Sequence, residues 1–116
     1  IESVSIAFNY PKDPHDPGAK RVYDTSHGGV MLDLGIYVFE QLRVILKKLN
    51  LSLHDFDKEN KDIWIKYTKE MVDFEVIANI TYDKLPVYLE TRMNPGADAF
   101  EEVVVKLKSG DKITAN

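Results

Sequence analysis

The sequence predicts an α+β fold, a two-layer sandwich in which one long helix packs on one face of a mostly antiparallel, open sheet. Two patterns carry this prediction. A stripe of apolar residues with helical spacing runs through residues 29–49, and segments with period-two alternation follow it at hairpin-length intervals. Successive strands with short links form antiparallel sheets, so we expect the order strand, loop, helix and meander.

The first strand and the loop behind it are predicted from alternation and from proline. Polar and apolar residues alternate over positions 3–8, as is typical of a half-buried strand. Three prolines and a glycine follow within residues 10–18, where neither a helix nor a central strand can continue. We therefore expect an exposed loop before the helix.

The helix is predicted over residues 29–49 by its apolar stripe. Seven apolar side chains share one side of the helical wheel: Met31, Leu34, Val38, Leu42, Ile45, Leu46 and Leu49. Ser26 is the expected N-cap, and Asn50 is the expected stop. Lys47 and Lys48 lie in the last turn, where cations interact favourably with the helix dipole.

Behind the helix the sequence predicts a polar connector at 51–62 and then strands at 63–68, 72–82, 87–93 and 100–107. Asp83 and Lys84 provide a hairpin link, and a short last strand follows a turn at Ser109 and Gly110. Trp64 is expected in the core or in an interface. The sheet face turned away from the helix is mixed in character, so it is either solvated or paired with another subunit.

Composition narrows the class of protein. The chain has 116 residues, enough for one domain with a core, and a net charge of -4 with no basic stripe, which argues against duplex nucleic-acid binding. It has no cysteine, which excludes disulfides and fits a cytoplasmic protein. No apolar run reaches the roughly 20 residues of a membrane span. His15, His27 and His54 lack metal-ligand spacing, so no metal site is expected.

The side of the helix opposite the apolar stripe carries the candidate chemistry. It holds Gly29, Asp33, Ile36, Tyr37, Glu40 and Val44. Asp33 and Tyr37 are spaced i, i+4, so their side chains can meet. Gly28 and Gly29 leave room for a ligand or for backbone, and Gly35 for the sheet behind. The alternative is structural, because an aspartate in a first turn gains from the helix dipole and a tyrosine often only packs.

The stretch GGVMLDLGIY, residues 28–37, resembles the signature of the C-terminal domain in the glucose-fructose oxidoreductase, inositol dehydrogenase and MocA family (Gfo/Idh/MocA). Residues 71–93 resemble a later sheet segment of that family more loosely. Val30 stands where the signature has its third glycine. The preceding KRVYDTSHGG resembles the dihydrodiol dehydrogenase-like branch, which has tyrosine, as at Tyr37, where many members have histidine.

This resemblance implies an NAD(P)-dependent oxidoreductase that acts on a sugar, polyol or diol carbinol by hydride transfer. Asp33 then resembles the substrate-orienting acid, and Tyr37 the group that transfers the proton. The other expected substrate contacts are Gly28, Gly29, His27 and Arg21. His27 either points into the cleft or has a solvent-exposed or N-terminal role, and Arg21 with Asp24 either lines the cleft or forms an exposed salt bridge.

The resemblance further implies that residues 1–116 are the substrate-binding and oligomerisation domain of a longer protein, since the chain starts directly in a strand. The chain has neither GxGxxG nor Glu-Lys-Pro. We therefore expect an N-terminal Rossmann domain, outside this chain, to hold NAD or NADP, and no activity from this chain alone. A homo-oligomer is expected through the free sheet face. The alternatives are a non-catalytic ligand sensor or scaffold on the same fold, and a free-standing interaction module.

Overall fold

A computed structural model describes residues 1–13, 15, 23, 28–93 and 99–115. These residues form one open sheet and one helical layer, which confirms the predicted α+β sandwich. The strands are β1 Ser3–Asn9, β2 Phe56–Tyr67, β3 Asp73–Tyr82, β4 Leu85–Arg92, β5 Phe100–Lys106 and β6 Lys112–Ala115. The helix begins as a π-helical segment, Met31–Gly35, which continues directly into α1, Ile36–Lys48.

The strands lie in the order β2-β3-β4-β1-β5-β6. The first strand is therefore central: β1 is parallel to β4 on one side and antiparallel to β5 on the other. The strands β2, β3 and β4 form an antiparallel meander, and β5 and β6 form a hairpin. Insertion of β1 places its carboxyl end beside the carboxyl end of β4, close to the start of the helix.

The core lies between α1 and the sheet. Val38, Leu42 and Leu46 are buried on one side of α1, as the stripe predicts, and each contributes about 1.5–3 kcal/mol by burial. They pack against side chains from three neighbouring strands, namely Val4, Ile6, Ala78, Ile80, Tyr82, Leu85, Val87 and Leu89. A smaller apolar cluster under the helix start consists of Val30, Leu34, Val72, Val76 and Met93.

The carboxyl end of the helix stops at the predicted residue. Asn50 takes a left-handed conformation with φ 59°, and its N–H donates to the Lys47 carbonyl at 3.1 Å. The Leu51 N–H donates to the Leu46 carbonyl at 2.9 Å. These two bonds form a Schellman motif, in which an asparagine tolerates the left-handed position.

The hairpin predicted at Asp83 and Lys84 is confirmed. Both residues have positive φ, 49° and 67°, as a two-residue type I′ turn requires. The turn at Ser109 and Gly110 is also confirmed, with φ 92° at Gly110 and a bond from its N–H to the Leu107 carbonyl of 2.9 Å. Local turn chemistry therefore sets both connections.

The predicted connector at 51–62 is wrong in its second half, because β2 already begins at Phe56. The charged residues there have poor strand propensity, which favours a loop in a sequence reading. They lie, however, at the edge of the sheet, where charged side chains reach water and propensity decides less. The pairing with β3 is irregular between Phe56 and Lys61 and becomes regular only beyond Lys61.

Candidate functional site

The start of the helix is built from residues that are distant in sequence. Gly29 has φ +108°, a conformation that side chains rarely adopt. A Cβ at Gly29 would overlap Oδ1 of Asp73, the first residue of β3. The other carboxylate oxygen of Asp73 accepts a hydrogen bond from the Met31 N–H at 2.9 Å. Asp73 therefore caps one free N–H at the start of the helix, that of Met31, and the space at Gly29 holds this carboxylate.

Three predictions about this start can be compared with the structure. Ser26, the predicted N-cap, lies outside the described residues, and the helix begins beyond Gly29. Val30 has ordinary helical angles, φ -65° and ψ -32°, and is fully buried, so a valine fits where the family signature has glycine. Gly35 is buried and lines a small cavity together with the sheet residues Val76 and Leu89, and the atom closest to an added Cβ is Met31 Sδ at 3.0 Å.

Neither Asp33 nor Tyr37 belongs to the two buried apolar clusters. Asp33 is half-buried within the π-helical segment, and its N–H donates to the Gly29 carbonyl at 3.1 Å. Tyr37, one turn later, is 54% exposed, and its neighbour Ile36 is 63% exposed. More than half of the Ile36 residue and of the Tyr37 residue is therefore open to solvent. Short π-helical segments are rare and occur frequently at functional sites.

The ring of Tyr37 is held by the sheet. It stacks on Phe8 near the end of β1, with ring centroids 5.3 Å apart and an interplanar angle of 16°. Phe8 in turn contacts Tyr10, with centroids 5.4 Å apart. The Tyr10 hydroxyl donates to a Glu101 carboxylate oxygen at 2.5 Å, and this bond raises the pKa of Tyr10. Tyr37, Phe8 and Tyr10 thus form a row of three aromatic rings, and the last of them is hydrogen-bonded to the Glu101 carboxylate.

The structure gathers part of the predicted site. Asp33 and Tyr37 lie in the first turns of the helix and Gly28 and Gly29 directly precede it, whereas His27 and Arg21 lie outside the described residues. Four residues that sequence reasoning missed also belong here: Phe8, Tyr10, Asp73 and Glu101. The alternation in β1 places Phe8 and Tyr10 on one face, but only the pairing of β1 with β5 brings Glu101 next to them.

The open face of the sheet, defined as the face turned away from α1, carries a compact charged network. Glu75 is only 8% exposed and pairs with Lys66 and with Arg92, each at 3.1 Å. Arg92 also lies 3.4 Å from Glu90. The Arg92 Nε is poorly aligned for a hydrogen bond to Glu75, so this contact is an ion pair only. Arg92 thus lies on the open face.

Two neutral groups complete this network. The Asn9 amide donates to one Glu90 oxygen at 2.5 Å, and the Tyr88 hydroxyl donates to the other at 2.6 Å. Burial, followed by the bond to Glu90, raises the pKa of Tyr88 to about 12. Asn9 Oδ1 is buried and accepts no hydrogen bond from the part of the chain that the structure describes. The centre of the open face is therefore partly desolvated although no described element lies over it.

Neither a metal cluster nor a membrane-crossing helix occurs in the described ranges. No group of three or more His, Asp or Glu side chains there could hold a metal ion. The helix formed by these residues is too short and too polar to cross a membrane.

The chain matches no protein-family model, and no curated protein and no solved structure shows significant similarity to it. The geometry of the helix start and of the open face is therefore the basis for a functional proposal.

Proposed function

We propose that this chain is the substrate-side, C-terminal domain of a longer NAD(P)-dependent oxidoreductase that acts on a carbinol of a sugar, polyol or diol. One observation carries the proposal. Asp33 and Tyr37 lie one turn apart at an irregular helix start, outside the buried apolar clusters, and Tyr37 is more than half exposed. A helix that packs on a sheet through its apolar stripe and carries an acid and a phenol outside that stripe is suited to the wall of a cleft between two domains.

The chemistry requires a proton acceptor and an orienting group. When a carbinol is oxidised, its C–H hydride leaves carbon and its O–H proton must pass to a base; reduction returns both. NAD or NADP, bound mainly by the other domain, supplies the hydride acceptor or donor. Tyr37 takes or returns the hydroxyl proton, and the Asp33 carboxylate accepts hydrogen bonds from substrate hydroxyls. A free phenol has a pKa near 10, so a cation from the second domain must favour the phenolate.

The exposed side of the helix is compatible with such a second domain. Ile36, Tyr37 and Val44 are exposed apolar or aromatic side chains on neighbouring turns. Exposed apolar groups of this kind commonly mark surfaces that another body covers. A Rossmann domain packed there would exclude water from the phenol and would bring the nicotinamide close to it.

The second candidate is a non-catalytic ligand sensor or scaffold, and the stacking of Tyr37 on Phe8 favours it. The Tyr37 ring lies nearly parallel to the Phe8 ring at 5.3 Å, and this packing alone explains an aromatic residue at position 37 without any proton transfer. A sensor requires a ring at this position but not a hydroxyl. The two candidates therefore differ in what they predict for phenylalanine at position 37.

The proposal includes a homo-oligomer through the open face, in the cytoplasm, a compartment that suits a protein without cysteine. The observation that supports the oligomer is the shielded network around Glu75 and Glu90. Charged groups that have lost contact with water are stabilised most when a partner supplies the interactions that they lack. The free lone pairs of Asn9 Oδ1 offer an acceptor to a second subunit.

The experiment uses the longer protein that contains this chain. It is incubated with a panel of sugars, polyols and diols and with NAD or NADP, and formation of reduced nicotinamide is followed by absorbance. We expect turnover of at least one carbinol and, for Asp33→Asn, a fall in kcat/KM of about 10²-fold, because a charged acceptor in the site is lost. Saturable ligand binding without any turnover would replace the proposal by the sensor.

A further inference from the structure

One edge of the sheet is long and uncovered. The order of the strands places β2 at one edge and β6 at the other. β2 has 12 residues and, in the described part of the chain, pairs only with β3. The unpaired backbone groups of such an edge are a template for another strand, and soluble proteins usually shield them.

The centre of β2 is apolar on both faces. Ile63 and Ile65 are paired with Ala78 and Val76, two core residues, so they lie on the helix side of the sheet. They are nevertheless 53% and 41% exposed. Trp64 lies between them on the open face and is also 53% exposed, which excludes the core position that the sequence allowed. Burial of these three side chains needs a neighbour beyond the edge.

We propose that two copies of this chain pair along β2 in antiparallel fashion, about a two-fold axis at Trp64, so that their sheets become continuous. The sequence of β2 is self-complementary in this arrangement. Trp64 faces Trp64 of the second copy, and Ile63 faces Ile65 of the second copy. One residue further out, Asp62 faces Lys66 of the second copy, which joins opposite charges at both ends of the pairing.

Alternative registers are less favourable. Paired residues of a continuous sheet share a face, so the register can shift only in steps that keep Trp64 on the open side. Centring the axis on Ile63 places Trp64 opposite Asp62, and centring it on Ile65 places Trp64 opposite Lys66. In the described part of β2 that pairs regularly with β3, only the Trp64 register matches apolar with apolar and acid with base.

The rest of the sheet boundary explains why the pairing stays local. Residues 57–60 of β2 are all polar, and the pairing with β3 is irregular there. The opposite edge, β6, has only four residues and begins with Lys112. Short strands and lysines are the usual protection of sheet edges. The unprotected part of the boundary is therefore the run from Asp62 to Lys66.

The pairing is compatible with the contacts inside one chain. Lys66 lies 3.1 Å from Glu75 of its own chain, but its side chain is largely exposed and can also reach an acid beyond the edge. Edge pairing leaves the open face and the helix start accessible. The inference therefore does not depend on the proposed function, and either can fail without the other.

Cysteine substitutions test the register directly, because the chain has no native cysteine. Side chains directly opposite in an antiparallel pair have Cβ atoms about 4.5–5.5 Å apart, within reach of a disulfide after small shifts. In a glutathione buffer we expect Trp64→Cys to form a disulfide dimer. The single variants Ile63→Cys and Ile65→Cys stay reduced, whereas the double variant Ile63→Cys/Ile65→Cys crosslinks and keeps Trp64.

Asn79→Cys is the matched control. Asn79 is exposed on the open face of β3, one strand inside the edge, where it pairs with Asp62. It stays reduced if copies meet along β2 alone, and it crosslinks in addition to the β2 variants if copies also pair through the open face. Crosslinking of Asn79→Cys without crosslinking of Trp64→Cys or of the double variant would show that copies meet through the open face instead. That result, or no crosslinking in any variant, would overturn the edge pairing.

Association of the wild-type chain and of charge variants tests the pairing without any disulfide. Sedimentation should show the chain associating to twice its 13.3 kDa. Asp62→Lys should weaken the dimer about fivefold or more, because two cross-strand pairs become repulsive at once. Asp62→Lys/Lys66→Glu should restore it to within about twofold, with the fold of each variant checked by circular dichroism. A protein that stays monomeric at about 100 μM, or a swap without rescue, would contradict the proposal.

Discussion

The two ends of the helix are closed by different means. At the carboxyl end, Asn50 and Leu51 donate to carbonyls one turn back, so that all the groups involved lie within six residues. At the amino end, the N–H of Met31 is capped by Asp73, 42 positions later in the chain. That end also needs a glycine at +108° and passes through a π-helical segment.

The carboxyl end of the helix is determined by local sequence, whereas the amino end forms only when the folded sheet supplies its cap. The carboxyl end needs no contact with β3, whereas the amino end depends on the position of β3 relative to the helix. Irregular backbone that tertiary contacts hold in place is common where a protein binds or reacts. The candidate residues Asp33 and Tyr37 lie at the end that depends on tertiary contacts.

The largest effect is expected from Gly29→Ala. An alanine must adopt a left-handed conformation, at about 1–2 kcal/mol, and must also displace the Asp73 carboxylate. We expect a loss of about 3 kcal/mol in the free energy of unfolding, measured by urea denaturation. The matched control is Gly110→Ala, at φ +92° with open space around it, where only the backbone cost of about 1–2 kcal/mol applies. Equal losses at both sites would contradict the close approach of Asp73.

Removal of the cap itself should have a smaller effect. Asp73→Ala loses the acceptor for the Met31 N–H, and we expect a loss of about 1 kcal/mol in urea denaturation, the usual range for a helix cap. Asp73→Asn keeps a carbonyl oxygen and should recover about half of that loss. In the double variant Gly29→Ala/Asp73→Ala the total loss of unfolding free energy should be smaller than the sum of the losses in the two single variants, because the clash between the added methyl group and the Asp73 carboxylate is gone. Strict additivity would argue against the contact.

The carboxyl end should respond least. Asn50→Gly keeps the left-handed position free of strain, so the free energy of unfolding should stay within about 0.5 kcal/mol of the wild type. Asn50→Ala should lose about 0.5–1 kcal/mol, because alanine tolerates this conformation less well. Thermal unfolding followed by circular dichroism measures both. A larger loss for Asn50→Gly than for Asp73→Ala would reverse the comparison between the two ends.

Local patterns predict most elements of this fold. The alternation at residues 3–8 and 72–82 identifies β1 and β3 to within one residue at each end, and the stripe identifies the buried side of α1. Each of these patterns is complete within one element. The beginning of β2 is missed because its polar residues can form a strand only as the edge of an existing sheet.

The candidate site is only partly readable from the sequence. The spacing of Asp33 and Tyr37 predicts that they share one side of a helix, and both residues lie in the first turns of the helix. The cap by Asp73 and the stacking of Tyr37 on Phe8 depend on how β1 and β3 are placed under the helix. Alternation and turn signals carry no information about this strand order, so these contacts have no signal in a single sequence.

The most direct test compares Tyr37→Phe with Tyr67→Phe in the longer NAD(P)-dependent protein that we propose. Tyr67 is a similarly exposed tyrosine at the end of β2, opposite Asp73, and has no role in the proposed proton transfer. Phenylalanine keeps the stacking on Phe8 and removes only the hydroxyl, so Tyr37→Phe should lower kcat about 10²–10⁴-fold with an unchanged fold, and Tyr67→Phe should retain wild-type turnover. Full turnover in Tyr37→Phe would contradict the proton-transfer role and leave Tyr37 a packing residue.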